Sequence, residues 1–418
     1  MLEGREKLWS CVFTFIIVLL NLGGNKKIIM KKRILVITSG YPIESAIQRY
    51  AFVDNLVCAM NDHFADCVVL YPISVTHALL HKEKLPSRNW VRVTQNGSEF
   101  IVYCPRIITL SNSKIKYIRL LCNRFNQKVF SHAVLHTIRK NNLNFDIVYG
   151  HFLSPSGITA TEMGERYGAT SCMAYGENSP YTIENVGEDY ARKKLEKLNS
   201  VVSVSTENAK YLNKHRIVDA GKIKVFPNSV DTTVFYPRDK VQARRKLGMP
   251  ENAFIVSFLG YFTETKGSER LSEAISKLKD VYSIFIGSGN KIPTCENILF
   301  MSQLPHEVIP EYLAASDVFV LPTLAEGCCN AIVEALACGL PVISSNLPFN
   351  DDILDSECSI RIDTSNVEEI ADAIRRLQED PNRVEKMHEA AIRKSKEFNI
   401  VNRAENILKW IEKCGEQV

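Results

Sequence analysis

The sequence has twelve cysteines but no CxxC pair and no Cys/His spacing of the zinc type, which argues against a structural metal site or a disulfide framework. Cys58, Cys172 and Cys338 fall within apolar patterns and read as small core residues in a reducing cytosol. The adjacent Cys328 and Cys329 admit a redox reading, although neighbouring cysteines rarely bridge. A strongly basic domain is also missing. The net charge is only +4 over 418 residues, which argues against general binding of nucleic acid. No GxGxxG follows the first strand pattern, so a dinucleotide fingerprint is not present there. A spanning hydrophobic run is lacking as well. Trp9–Leu22 is apolar for 14 residues, short of the ~20 that a membrane-crossing helix needs. The stretch Asn21-Leu22-Gly23-Gly24 makes a poor cleavage site, so residues 1–29 read as an upstream extension or weak anchor rather than a secretion signal.

What is present is the composition of a globular protein, 45% hydrophobic and 23% charged. The length implies two domains of roughly 180 residues each. From Met30 onward, short apolar runs alternate with amphipathic helical patterns, the mark of parallel sheets covered by helices on both faces. The first alternation fills residues 30–226, beginning with the strand Ile34–Thr38. A helix is expected from about Ser45, and further strands near Val68–Leu70, Glu99–Cys104, Asp146–His151 and Val201–Ser205. Thr206 is the expected cap of the next helix. The turn-rich Pro227-Asn228-Ser229-Val230-Asp231 reads as the connector to a second alternation over residues 227–392. Asp363 and Asn382 are its expected late helix starts. A last helix over 393–418 is expected to pack back toward the first domain.

Between Glu99 and Asp146 there is no acidic residue, while Arg106, Lys114, Lys116, Arg119, Arg124, Lys128, Arg139 and Lys140 are all present. Ile115, Ile118, Leu120, Leu121 and Phe125 interleave with them. A solvated helix face is the ordinary explanation. The missing counter-charge also fits a surface that meets anionic lipid or a phosphate-rich acceptor.

The chemistry concentrates in Pro322–Ile343, PTLAEGCCNAIVEALACGLPVI, a strand–loop–helix–strand unit whose carboxylates Glu326 and Glu334 lie eight positions apart. Gly327 permits close backbone approach, and the helix start after it offers free N–H groups to an anion. Glu334 inside the helix suits a diol. Taken singly, both glutamates would be solvated surface residues. Three other strand ends carry candidates: Gly40 after the first strand, His151 at the mouth of another, and Lys266 beside Gly267 in the loop after Ala253–Leu259. In open α/β sheets ligands collect at such strand ends. An ammonium at Lys266 suits a diphosphate, since it needs little geometry to do so. The Gly287-Ser288-Gly289 loop adds a weaker signal.

Five pieces in order, PNSVDTTVF, FLGYFTETKG, IGSG, YLAASDVFVLPT and EGCCNAIVEALACGLPVI, resemble the large retaining glycosyltransferase family that includes phosphatidylinositol mannosyltransferases and sucrose synthases. The resemblance runs from about Lys31 to the C-terminus. It implies an α/β chain of the GT-B fold, two Rossmann-like domains facing a cleft. It also implies that Glu326 holds donor-sugar hydroxyls, Glu334 the ribose diol and Lys266 the diphosphate, with His151 close to the donor sugar. The implied donor set extends to Gly327, Cys328, Cys329, Asn330, Gly260, Tyr261, Gly287 and Gly40, with backbone near Gln303 and Leu304 reading the base. Two departures stand out. Tyr261 occupies the place of the family's usual arginine before the Lys-Gly pair, and the first loop lacks the usual double glycine.

The activity so implied is transfer of a hexosyl group, with retention, from a nucleoside-diphosphate sugar (UDP or GDP) to an acceptor hydroxyl, without a metal or cofactor. The acceptor is expected to be lipid-linked or a saccharide, in synthesis of a bacterial capsule, O-antigen or exopolysaccharide, in the cytoplasm or at the inner membrane face. A sugar-nucleotide epimerase of the same fold and a non-catalytic sugar-nucleotide-binding subunit are the alternatives. The Tyr261 substitution alone favours the latter.

Overall fold

The computed structural model describes residues 31–44 and 49–416. The expected extension or anchor over residues 1–29, and the helix start near Ser45, lie outside the described residues. The first strand, β1 (Lys32–Thr38), is followed by a helix over Ala51–His63 and by β2 (Ala65–Leu70). Then come β3 (Ile73–Ser74), β4 (Asn89–Val93), β5 (Glu99–Tyr103) and β6 (Arg106–Ile107). The long helix Lys116–Lys140 leads to β7 (Ile147–His151), β8 (Thr170–Tyr175), β9 (Ser200–Ser203) and β10 (Ile223–Val225). Eight of these strands make one sheet in the order β10-β9-β8-β7-β1-β2-β5-β4. β4 runs antiparallel to β5 at the edge, while the β7–β8–β9–β10 and β1–β7 pairs are parallel. All five residues of β7 are buried, as a parallel strand covered on both faces requires.

A second sheet contains β11 (Phe254–Leu259), β12 (Val281–Ile286), β13 (Ile298–Ser302), β14 (Val318–Leu321), β15 (Val342–Ser345) and β16 (Ser359–Ile362). Its order is β13-β12-β11-β14-β15-β16, and every pair is parallel. Each sheet has a point where the chain reverses its direction of growth. In the first this is between β1 and β7, and in the second between β11 and β14. Crevices open beyond the strand ends at such points. His151 ends β7 there, and the loops carry Gly40, Lys266 and Glu326, so topology alone assembles the main candidates.

Two chain crossings join the halves. Val230 and Phe398–Ile400 exchange backbone hydrogen bonds (2.8 and 3.1 Å). The helix Ile400–Gly415 then buries Ala404, Ile407 and Ile411 among Val36, Leu56 and Ala174 of the first sheet's core. Beside the crossing, the buried Arg403 guanidinium donates to the Phe226 carbonyl (3.2 Å), and burial holds its pKa below the usual arginine value.

Local expectations needed correction where tertiary partners took over. Ser205, not Thr206, caps the helix Thr206–Lys214, by accepting from the Asn208 N–H. Thr206 is instead bound through its hydroxyl (2.6 Å) and N–H (2.7 Å) to Asp352 in the other half. The caps of the helices Val367–Gln378 and Pro381–Ser395 are Asn366 and Asp380, rather than Asp363 and Asn382. Asp363 closes a turn on Ser365 (2.9 Å to its N–H).

A candidate sugar-nucleotide site between the two sheets

Glu326 and Lys266 come together although they lie sixty residues apart, because β11 and β14 are neighbours in the sheet. The Lys266 ammonium donates to Glu326 Oε1, which also accepts from the Thr323 hydroxyl (3.0 Å). Burial penalises the ammonium, and the negative groups around it, Glu326 included, outweigh this and leave its pKa raised. Lys266 is therefore a fixed cation. Gly260 and Gly287 bring the two neighbouring loops into backbone contact: a Cβ on Gly287 would lie 1.9 Å from the Gly260 carbonyl oxygen.

Glu326, Gly327, Cys328 and Asn330 line one wall of a cavity of about 580 Å³, and His151, Gly176, Glu177 and Asn178 line the opposite wall. That volume lies within the roughly 300–1,000 Å³ of small-molecule sites. The two walls nearly touch at Gly327, where a Cβ would lie 2.3 Å from the Gly176 carbonyl oxygen. Asn228 of the connector holds this geometry by donating its amide to the Cys328 carbonyl (3.0 Å). Asn330 opens the helix Asn330–Ala337, so the free N–H groups of that helix start face the same space. Cys328 and Cys329 are buried thiols. Burial pushes Cys328 up to about 12 and Cys329 higher, so neither is a thiolate nucleophile or a ready redox centre.

Glu334 lies one helical turn deeper. Its carboxylate pairs with His306 Nε2 (2.9 Å), and the imidazole packs against the Phe235 ring (4.9 Å between centroids). Burial pulls the His306 pKa down, but Glu334, with Glu307 and Asp231, leaves it raised. Glu334, Asn330 and His306 line a small cavity of about 140 Å³, which shares Asn330 and Phe52 with the larger one. Tyr261 and Gln303 line a wider groove of about 1060 Å³ with His306. Gln303 donates to the Ser288 hydroxyl (2.7 Å), and Leu304 packs against the core of the second half. Gly40 stands apart from this set. It lies buried beneath the Tyr50 ring, with a Cβ position 2.5 Å from the ring, and it is the preceding Ser39 that lines the cavity. The amide of Gly40 is bonded to the Thr38 hydroxyl (3.2 Å).

Two residues that sequence reasoning did not single out now join the site, His306 and Asn228. Glu177 joins them from Met173–Asn178, a strand end that carries a glycine and polar groups in the sequence, as the one at His151 does. His306 lies two positions beyond Leu304, and nothing local marked it as facing the cleft. Glu177 accepts from the Thr182 hydroxyl and the Leu153 N–H (3.4 Å), yet burial raises its pKa to about 7 from an ordinary 4.5. His151, 7% exposed among Phe52, Tyr149 and Phe152, moves the other way. Burial, with a contribution from Arg403, lowers it to about 3, so it is a neutral imidazole near pH 7. These shifts make a signed prediction. Between pH 4.5 and 7 the folded chain binds more protons at Glu177 than the unfolded chain, so this group's stabilising effect is lost as pH rises through about 7. His151 has the opposite slope between about 3 and 6.5. The melting temperature of Glu177→Gln relative to the parent should therefore climb from pH 4.5 to 7.5. A difference that stays flat across that range would contradict the buried-carboxylate account.

The family comparison bears on the same half of the chain that holds Lys266, Glu326 and Glu334. Residues 239–394 match the family described as Glycosyl transferases group 1. The second half is a glycosyltransferase group 1 domain. TuaC of Bacillus subtilis (strain 168), assigned as a teichuronic acid biosynthesis glycosyltransferase, is 26% identical over 263 residues. That match spans 59% of this chain and 64% of TuaC. Among solved structures, sucrose-phosphate synthase of Thermosynechococcus elongatus superposes with a TM-score of 0.72 at 18% identity, over 92% of this chain and 99% of that one. Anabaena HepE, solved in complex with UDP, superposes with a TM-score of 0.68 at 16% identity, over 91% of this chain and 100% of that one. The chain has the GT-B fold: two Rossmann-like parallel-sheet halves with a cleft between the strand ends.

Proposed function

We propose that the glycosyltransferase group 1 chain transfers a hexosyl group from a nucleoside-diphosphate sugar to an acceptor hydroxyl with retention of configuration. The observation that carries this reading is that Glu326, bonded by Lys266, and the Asn330 helix start line one wall of a cavity whose other wall holds His151. Lys266 and the helix N–H groups face the charge that develops on a departing diphosphate, a fixed stabilisation that needs no reorganisation. Glu326 bonds donor-sugar hydroxyls, Glu334 the ribose diol, and neutral His151 approaches the donor sugar from the first half. The bond from the anomeric carbon to the diphosphate oxygen breaks, and one from the acceptor oxygen forms on the same face. The acceptor proton passes to the leaving diphosphate. The positive charge comes from the protein, so the reaction takes no metal and EDTA should leave its rate unchanged. UDP is the first nucleotide to try, given the HepE complex, with GDP next.

The test is release of nucleoside diphosphate from UDP-, GDP- and ADP-sugars, with and without saccharide acceptors, followed by NMR of the product's anomeric centre. Acceptor-dependent release with an α-donor giving an α-product supports the reading. Isomerised donor without acceptor would identify an epimerase instead, and binding without turnover a non-catalytic subunit.

We also propose contact with an anionic membrane, because the start of the helix Lys116–Lys140 leaves large apolar side chains in solvent beside cations. Ile115 is 62% exposed and Tyr117 71%, and Lys114 and Lys116 flank them. No described helix is long and apolar enough to cross a bilayer. Such a basic-apolar patch binds acidic lipid at the interface. The chain should float with phosphatidylglycerol vesicles at low salt and not with phosphatidylcholine vesicles. Ile115→Asp/Tyr117→Asp should abolish flotation, and equal flotation with both lipids would count against an electrostatic contact. Surface-polysaccharide synthesis on a lipid-linked acceptor is the role this location suits.

A further inference from the structure

The bond between His306 and Glu334 joins two elements that the sheet keeps apart. His306 lies in the loop after β13, beyond Gln303 and Leu304, whereas Glu334 lies on the helix Asn330–Ala337 that follows β14. Two strands, β12 and β11, stand between β13 and β14. The contact from His306 Nε2 to Glu334 Oε1 (2.9 Å) therefore crosses the ligand edge of the second sheet.

A glutamate on a helix ordinarily samples several rotamers, and fixing one for a ligand costs side-chain entropy at the moment of binding. Here the carboxylate is held in advance. Only 12% of the Glu334 side chain is exposed, and the imidazole that bonds it packs against the buried Phe235 ring. Among the described residues His306 is the one side chain bonded to this carboxylate. An ionised carboxylate accepts about four hydrogen bonds, so one at Oε1 leaves both oxygens with capacity for a ligand. Burial opposes charge on the His306 ring, and Glu334, Glu307 and Asp231 outweigh it, which favours the imidazolium and a charge-assisted bond.

The cavity that the pair lines, of about 140 Å³, is polar and incompletely satisfied. Ser229 and Asn330 share its wall, and the Ser229 hydroxyl and Asn330 Oδ1 are both buried without a hydrogen-bond partner. Buried polar atoms nearly always have one, so two such atoms beside one carboxylate mark a place for a polar occupant. The wall also carries Asp231, whose Oδ1 already accepts from the Thr233 hydroxyl (2.6 Å) and N–H (2.8 Å). Two carboxylates suit hydroxyls rather than a phosphate. A pair of hydroxyls can donate to Glu334 and Asn330 and accept from Ser229.

We propose that His306 is a positioning residue that holds the Glu334 carboxylate for the ribose hydroxyls of the nucleotide, and so sets the preference for ribonucleotide over deoxyribonucleotide. The proposal rests on the transferase reading, in which Glu334 meets the ribose diol, and deepens it by naming what fixes that carboxylate.

The experiment is calorimetric titration of UDP, GDP and their 2′-deoxy counterparts into the full parent chain, His306→Ala and His306→Gln. The parent should bind its better ribonucleotide about tenfold or more tightly than the deoxy form, as expected for a lost hydrogen bond to a charged group. With 31% of its side chain exposed, His306 can be replaced without opening the core. In His306→Ala the ribonucleotide should weaken by roughly tenfold and the deoxy form much less, so that the ratio falls toward one. His306→Gln, whose amide can still donate to Glu334, should retain part of the ratio. A merely structural role for the loop would weaken both nucleotides equally and leave the ratio as it was. Equal losses of that kind, an unchanged ratio in both variants, or a parent that binds ribo and deoxy forms alike would overturn the positioning role while leaving the nucleotide site intact. A parent that binds none of the four would remove the sugar-nucleotide reading itself, and the role of His306 with it.

Discussion

Lys266→Met and Glu326→Gln are each expected to lower the rate of sugar transfer on the order of 10²-fold or more, the typical cost of removing one preorganised charge contact from a transition state. The two losses should differ in kind. In the proposed reaction Lys266 would face charge that grows as the diphosphate departs, so its removal should appear mainly in kcat. In the proposed reaction Glu326 would hold hydroxyls that are present before and during transfer, so its removal should raise KM for the donor as well. The two residues also restrain each other. Each leaves the other half-buried without its partner, since their side chains are 24% and 11% exposed. The double variant should therefore cost much less than the product of the single losses. Full activity in either single variant would refute the site assignment.

Gly327→Ala carries the second large expectation. A Cβ at this position meets the Gly176 carbonyl oxygen at 2.3 Å and its carbon at 2.8 Å, distances that only a backbone shift can relieve. Neither backbone is free to yield. Asn228 ties Cys328 on one side, and on the other Asn208 donates to the Glu177 carbonyl (3.1 Å). The one added methyl group therefore wedges the two walls of the cavity apart. Each half keeps its own core, so cooperative unfolding should persist with little change in circular dichroism. Displacement of reacting groups by about 1 Å costs on the order of 10²-fold, and transfer should fall by that amount or more. Small-angle scattering should show a slightly larger radius of gyration. Retained activity with unchanged scattering would show that the contact at Gly327 is dispensable.

Much of this architecture was legible in the chain. Buried apolar runs and helical periodicity mark two parallel-sheet halves, and Lys266 and Glu326 follow strand ends that the sheet brings together. Those signals are local, and the physics behind them is local too. What was not legible depends on partners far apart in sequence. Thr206 is the neighbour of the actual cap, Ser205, and its own hydroxyl is taken by Asp352, 146 positions away. Trp90 and Arg92 lie on β4, an edge strand with no fully buried residue and so no apolar run, yet Arg92 clamps Asp54 of the first helix (2.7 Å). Gly40 sits at the expected strand end, but the Tyr50 ring closes over it. Glu177 becomes a titrating group only through burial in the fold, with Leu153 and Thr182 as its partners. Asn228 reads as a turn residue, and only the fold shows that it ties the connector to Cys328.

The most direct test of the central claim is a thermal-shift titration of UDP and GDP against the parent chain and Lys266→Met. A nucleotide at about 100 times its Kd should stabilise the parent by about 2.7 kcal/mol, seen as a clear rise in Tm. In Lys266→Met most of that rise should disappear at the same concentration, each rise being measured from that protein's own ligand-free melting temperature. No shift with either nucleotide, or an equal shift in both proteins, would contradict a diphosphate site at Lys266 and Glu326.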